Sequence, residues 1–169
     1  MTEPVASQPY WPDYPLSDAK LLPWSWAAER LASSRNYFIS TVRPDGAPHT
    51  AIIWAVWIDG ALYFSTGLRS RKARNLAQHP RCTITTDRAE DAIILEGIAQ
   101  RCHMPAALPA VYKAKYDWDV TTDTSAGPYF AIQPAVVFAF REHDMAESTR
   151  WTFARSPLPL GEDQGEGSP

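Results

Sequence analysis

Between Asp59 and Asp87 the chain carries Arg69, Arg71, Lys72, Arg74 and Arg81, and the 27 residues from Gly60 to Thr86 contain no acid. Over its full 169 residues the protein holds 16 basic and 19 acidic side chains, so five cations in one acid-free stretch invite an anion. The local pattern suits capture of a phosphate. Gly67 lets the chain turn, Ser70 can cap a helix running to Gln78, and Arg71 and Lys72 follow in its first turn. Unpaired N–H groups and the helix dipole favour negative charge there. Arginine adds a two-pronged donor and lysine a compact charge. On spacing alone, a solvated basic helix face remains the alternative.

Other chemistry finds less support. His49, His79, His103 and His143 form no HxH, HExxH or Cys/His cluster, so no metal site is expected. Cys82 and Cys102 make neither a CxxC pair nor a disulfide framework. Cys102-His103 are sequence neighbours whose side chains point apart on a strand, a poor geometry for a thiol nucleophile. Asp87, Glu90 and Asp91 read as a turn rather than a carboxylate pair. The sequence has no GxSxG, P-loop or GxGxxG.

The elements that must position the basic segment follow from periodicity and turn chemistry. Residues 1–23 are a Pro-rich extension whose Tyr10, Trp11 and Tyr14 predict packing against the fold. Ser25 to Ser34 predicts a short amphipathic helix. Asn36 to Arg43 predicts a strand ending at the Pro44-Asp45-Gly46 turn, and His49 to Ile58 a long second strand. Asp59-Gly60 is a hairpin signal leading into Ala61 to Thr66, so the chain opens as a three-stranded meander. Residues Ala51, Ile52, Ile53, Trp54, Ala55, Val56 and Trp57 are apolar at every position, where a half-exposed strand would alternate. That predicts cover on both faces: the core on one side and a helix, a subunit or a flat ligand on the other.

Strands resume at Arg81 to Asp87 and Asp91 to Arg101, the latter with a bulge at Gly97. A helix over Ala106 to Tyr116 is split or delayed by Pro109. Tyr112, Tyr116 and Trp118 read as helix packing. Tyr129 to Phe140 is a strand marked by Pro134 as a bend or an edge, and Thr149 to Phe153 a short last strand. Six to seven mostly antiparallel strands with short helices predict a mainly β fold, a small barrel. The expected division is an extension at 1–23, one domain at 24–155 and a disordered acidic tail at 156–169.

Composition sets the limits. Apolar residues are 45% and charged residues 21%, an ordinary globular balance able to close one core. Of the net charge of -3, Glu162, Asp163 and Glu166 in the tail account for all, so a binder of nucleic acid is not expected. The sequence shows no apolar run long enough for a membrane span and no leader pattern, which points to the cytoplasm. Aromatic residues reach 12%, enough for both core and ligand contacts.

The segment Ser65-Thr66, Ser70-Arg71-Lys72, Ala73-Arg74-Asn75-Leu76 and His79-Pro80-Arg81 resembles the cofactor segment of the pyridoxamine 5'-phosphate oxidase-like superfamily. The similarity extends through Thr41-Val42-Arg43-Pro44-Asp45-Gly46-Ala47-Pro48 and Glu96-Gly97-Ile98-Ala99-Gln100, covering roughly residues 24 to 153. The resemblance implies an FMN-binding split β-barrel with its cofactor at a homodimer interface. It implies that the strand through Ala51, Ile52, Ile53, Trp54 and Val56 runs under the flavin ring. Ser65 and Thr66 would then approach the ribityl chain or phosphate, and Ser70, Arg71 and Lys72 would hold the phosphate. Trp151, after Arg150, resembles a C-terminal aromatic that nears the cofactor. Ala92 stands where vitamin B6 oxidases carry a flavin-binding Gln, and Arg150-Trp151-Thr152-Phe153 replaces their substrate-phosphate motif. The implied activity is therefore hydride transfer to or from a small organic molecule with FMN or the deazaflavin coenzyme F420. Its pocket would be built from Trp54, Trp57, Trp151 and N-terminal aromatics. A non-catalytic carrier or sensor of such a cofactor is the alternative. Haem, bound by another subgroup of this fold, lacks a convincing ligand among the four histidines.

Overall fold

The computed structural model describes residues 3–11 and 19–154. One sheet of nine strands forms the body. Its N-terminal strand β1 (Val5–Ser7) lies at one end, and helix α1 (Trp24–Ser33) follows, burying Ala27 and Leu31. Strands β2 (Tyr37–Val42) and β3 (Pro48–Ile53) make a hairpin. Its turn is closed by Gly46 at φ 82° and by the Asp45 carboxylate accepting from the Ala47 N–H at 3.0 Å. A second hairpin joins β4 (Val56–Ile58) to β5 (Ala61–Ser65) through Asp59 and Gly60, at φ 48° and 81°. That pair of left-handed residues matches the twist of a two-residue hairpin.

Helix α2 (Arg71–Gln78) leads into β6 (Arg81–Thr86) and the long β7 (Asp91–Cys102). Helix α3 (Leu108–Tyr116) precedes β8 (Tyr129–Arg141), and a 3-10 turn at Met145–Glu147 leads to β9 (Thr149–Thr152). The strand order is β1-β9-β8-β7-β6-β2-β3, with β5 bridging β4 to β8. Strand β8 divides its outer edge: Tyr129 to Ile132 pair with β5, and Val136 to Ala139 pair with β9. Because β3 and β4 are two halves of one interrupted strand, the ring β2-β3/β4-β5-β8-β7-β6 is closed except at Trp54 and Ala55. This is the split barrel.

The register of β7 on β8 skips Ala135, so that Gly97 faces Pro134 at a bulge. A Cβ on Gly97 would lie 2.8 Å from the Ile132 methyl and closer to the Gln133 carbonyl, so only glycine fits. The barrel interior holds Tyr37, Ile39, Leu62, Ile84, Leu95 and Ile132, all fully buried. A smaller cluster, Val56, Ile58, Leu108 and Tyr116, lies beneath α3.

Several expectations need correction. The first half is not a three-stranded meander: among the described residues β3 pairs only with β2, β4 only with β5, and β6 takes the other side of β2. The long strand from His49 to Ile58 is broken at Trp54 and Ala55, because α3 captures the Ala55 backbone. The strand count rises above six or seven partly because that strand divides. It also rises because the N-terminal extension contributes β1, which pairs with β9 from Val5↔Thr152 to Ser7↔Arg150. Trp11 packs as expected, stacked on Phe140 at 5.8 Å, whereas Tyr10 is exposed. Tyr14 and the acidic tail lie outside the described residues. The bulge at Gly97 and the delay of α3 by Pro109 are as the sequence predicts.

Candidate functional site

Helix α2 begins where a cap is available. The Ser70 hydroxyl accepts from the Ala73 N–H at 3.2 Å and lies 3.1 Å from the Thr66 hydroxyl. The N–H groups of Arg71 and Lys72 have no carbonyl one turn back, so they point out of the helix start with its positive end. Arg69, Arg71, Arg74 and Arg81 are exposed and Lys72 is half-buried. Among the described residues none of the five is ion-paired with a carboxylate. Ser65, whose hydroxyl donates to the Gly127 carbonyl at 2.7 Å, ends β5 beside this turn.

A buried side chain fastens the helix to the strand expected under a ring. Asn75, 1% exposed, donates to the Thr41 hydroxyl at 2.9 Å, and Thr41 donates to the His49 carbonyl at 3.2 Å. Asn75 Oδ1 is buried with no partner among the described residues. The chain α2–Asn75–Thr41–His49 thus ties the cationic helix start to β3. Sequence reasoning read Asn75 as part of a motif and gave it no task. The only local signal was its place between Ala73 and Leu76 on the buried side of α2, which does not name the partner.

Strand β3 itself is an open edge. Ala51, Ile52 and Ile53 pair with Ile39, Phe38 and Tyr37 on one side, and no described strand adds to the other. Its polar backbone groups on that side are available to a ligand. The expectation of two covered faces holds for only one within this chain. Ile53 and Ala55 are buried, but Ile52 is 62% and Trp54 44% exposed. The uncovered side also carries Phe38, 38% exposed and directly opposite Ile52.

At the break the Ala55 backbone is held by α3. Its N–H donates to the Tyr116 hydroxyl at 2.9 Å, and its carbonyl accepts from Lys115 Nζ at 3.1 Å. The Tyr116 hydroxyl directs its own proton between the carbonyls of Arg35 and Ala55, both at 2.8 Å. Lys115 Nζ also donates to the Tyr37 hydroxyl at 2.7 Å. Trp54 turns outward and stacks on Tyr116, centroids 4.9 Å apart and planes 10° apart. Burial pushes the Lys115 ammonium down to about 8, with Asp87 opposing and Arg35 adding to the shift. Burial likewise pushes the Tyr116 phenol up to about 12. The sequence reading treated this end of α3 as packing and missed its polar grip on the strand.

The remaining expected residues are not gathered here. Trp151 is 1% exposed, edge-on to Trp24 at 5.6 Å, and Trp57 meets the same Trp24 at 6.1 Å. Trp54, Trp57 and Trp151 therefore do not line one pocket: the first sits on Tyr116, and the other two belong to the Trp24 cluster under α1. β9 pairs on both its edges and points Trp151 inward, which explains the burial. Burial raises the thiols of both Cys82 and Cys102, against a reactive thiolate. Among the described residues no three His, Cys, Asp or Glu side chains gather as a metal site. No described helix is long and apolar enough to cross a membrane.

Comparison with known proteins agrees with this frame. No curated protein matches the chain significantly. Among solved structures, an F420 reductase aligns with TM-score 0.53 at 22% identity, over 64% of this chain and 93% of its own. An FAD-binding protein from Mesorhizobium loti aligns with TM-score 0.54 at 13% identity, over 79% and 96%. A haem-binding protein from Mycobacterium smegmatis aligns with TM-score 0.54 at 20% identity, over 72% and 55%. At these identities the likeness is one of fold. The pyridoxamine 5'-phosphate oxidase family model matches residues 26–139, well over half of the chain, from within α1 through most of β8. With the split barrel, the capped basic helix and the open strand in place, that match assigns this chain to the pyridoxamine 5'-phosphate oxidase family.

Proposed function

We propose that the protein is a homodimeric oxidoreductase that binds FMN, or alternatively coenzyme F420, and exchanges a hydride with a small organic substrate. The observation that carries this reading is the hydrogen-bonded link from a cationic helix start to an open strand edge through Asn75, Thr41 and His49. Arg71, Lys72 and the first N–H groups of α2 would hold a phosphate, with Ser70 and Thr66 fixing the turn that aims them. Ser65 would border the chain joining phosphate to ring. Backbone groups along Ala51, Ile52, Ile53 and Trp54 would meet the polar edge of the ring, and Val56 would continue the strand beyond the break. Such a cofactor, when bound, supplies the hydride chemistry, so no side-chain acid or base is obligatory. The protein's task is to orient the ring and exclude water. A second subunit over Phe38 and Ile52 would supply that cover. FMN is favoured because Arg71 and Lys72 together match the flavin-phosphate pattern. Trp151 is left out of the binding set by its burial.

The test is the absorbance spectrum of protein purified from a host that makes FMN and no deazaflavin. A flavin spectrum near one per chain is expected, and Arg71→Ala with Lys72→Ala should lose it while the protein stays folded. Colourless protein that binds added F420 but not FMN changes the cofactor and keeps the site. Bound cofactor that is reduced yet never reoxidised by an acceptor favours a carrier or sensor. Binding of neither overturns the proposal.

A further inference from the structure

The break in the barrel wall leaves Ala55 with an N–H and a carbonyl that no strand accepts. A buried backbone group left unpaired is costly. Here both are met by side chains from adjacent positions of α3, Tyr116 at 2.9 Å and Lys115 at 3.1 Å. The same two residues reach further. Tyr116 binds the Arg35 carbonyl at the entry to β2, and Lys115 binds the Tyr37 hydroxyl on β2 itself. Tyr37 in turn donates to the Leu31 carbonyl at the end of α1. The C-terminal turn of α3 therefore clamps α1, β2 and the strand break into one unit.

This arrangement fixes Trp54. With Ala55 held on both of its polar groups, the preceding residue cannot rotate freely, and its ring is laid flat on Tyr116. Tyr116 also meets the Tyr112 ring, centroids 4.6 Å apart and planes tilted by 46°. We propose that Lys115 and Tyr116 are positioning residues for the cofactor bed, setting the conformation of Trp54 and Ala55 and hence the exposed edge of β3 that faces the ligand. The inference rests on the reading of β3 as that bed. It goes further in assigning a second, distant anchor besides the α2 phosphate site. Lys115 shares the Ala55 carbonyl with the Tyr116 hydroxyl and carries the link on to Tyr37, so its removal cuts the clamp's tie to β2 and leaves Tyr116 alone to hold the break.

The experiment uses the full chain and two readouts. The first is the emission and acrylamide quenching of Trp54 without cofactor, taken as the difference between each protein and its Trp54→Phe counterpart. The second is the dissociation constant for FMN, or for F420 if that is the cofactor bound. Tyr116→Phe removes one oxygen and keeps the ring, and Lys115→Met removes the amine at similar length. Both variants should make Trp54 more accessible and weaken cofactor binding on the order of tenfold, Tyr116→Phe by leaving the buried Ala55 N–H without its acceptor and Lys115→Met by cutting the tie to Tyr37. Lys115→Arg should recover part of the affinity that Lys115→Met loses. Arg71→Ala with Lys72→Ala should lose affinity and leave the Trp54 signal unchanged. A Trp54 signal that neither variant alters overturns the clamp. An altered signal with unchanged affinity overturns its link to the cofactor while the phosphate site stands. Wild-type protein that binds neither cofactor overturns the proposed function itself. If Lys115→Met fails to fold, Tyr116→Phe alone decides.

Discussion

The tightest backbone approach in the candidate site yields a sharp prediction. The loop between α3 and β8 crosses the end of β5 so closely that a Cβ on Gly127 would lie 2.6 Å from the Gly67 nitrogen, and closer still to the Thr66 carbonyl. Ordinary contact begins at about 3.4 Å, so Gly127→Ala must lift the loop by roughly 1 Å, and the obstacle is main chain that cannot swing aside. That displacement breaks Ser65 Oγ to the Gly127 carbonyl, 2.7 Å, and Thr66 N–H to the Pro128 carbonyl, 3.3 Å. Two hydrogen bonds at about 1 kcal/mol each, with about 1–3 kcal/mol of overpacking, give a gross cost of about 3–5 kcal/mol. The stiffer unfolded chain returns about 0.4–1 kcal/mol, leaving a net loss of about 2–4 kcal/mol. Gly67→Ala is the internal control. Nothing lies within 4 Å of its Cβ position and its φ is not in the left-handed region, so it should change stability by less than about 1 kcal/mol. Urea unfolding followed by tryptophan emission measures both, with m expected to stay constant. Equal midpoints for the two variants would refute the argument that this glycine is demanded by space.

Three further outcomes follow from the packing and charge. Leu31→Ala, at a fully buried position between α1 and the barrel, should cost about 2–5 kcal/mol in the same assay. Asp91 is pushed up by burial, but more strongly pulled down by Arg30 at 2.8 Å and Arg141 at 3.2 Å, so its carboxyl titrates below the usual value. The stability it contributes is present above about pH 4 and fades as the pH falls through its folded value, so the advantage of wild type over Asp91→Asn should shrink progressively as the pH is lowered below about 4. Lys115 titrates near 8 in the folded protein against 10.5 for an ordinary lysine. At this group the unfolded chain binds the extra proton across that window, so Lys115 contributes a rise of stability with pH, read as the difference between wild type and Lys115→Met. The groups facing it are Tyr37, Tyr116, Arg35 and Asp87. Tyr116 titrates near 12 and Tyr37 is also raised, so both stay neutral in the folded protein across the window, and their ordinary titration near 10 in the unfolded chain opposes the rise at its upper end.

Local chemistry wrote much of this fold into the sequence. Ser70 before Arg71-Lys72 announced a helix start, because a hydroxyl at that position satisfies an N–H that nothing else can reach. Asp59-Gly60 announced a hairpin because few residue pairs tolerate two left-handed conformations. Gly97 announced a bulge, and the order of strands with the basic helix sufficed to point to the family. What stayed hidden depends on partners remote in sequence. The apolar run through Trp54 and Trp57 reads as one continuous strand. It is broken because Lys115 and Tyr116, about 60 residues away, bind Ala55 in place of a neighbouring strand. Three tryptophans that look alike in sequence part company for the same reason: Trp54 is turned out onto Tyr116, whereas Trp57 and Trp151 converge on Trp24. Asn75 reads as one more polar helix residue until Thr41 is brought against it. A sequence fixes what each residue can offer its near neighbours; which distant group accepts the offer is decided only when the barrel closes.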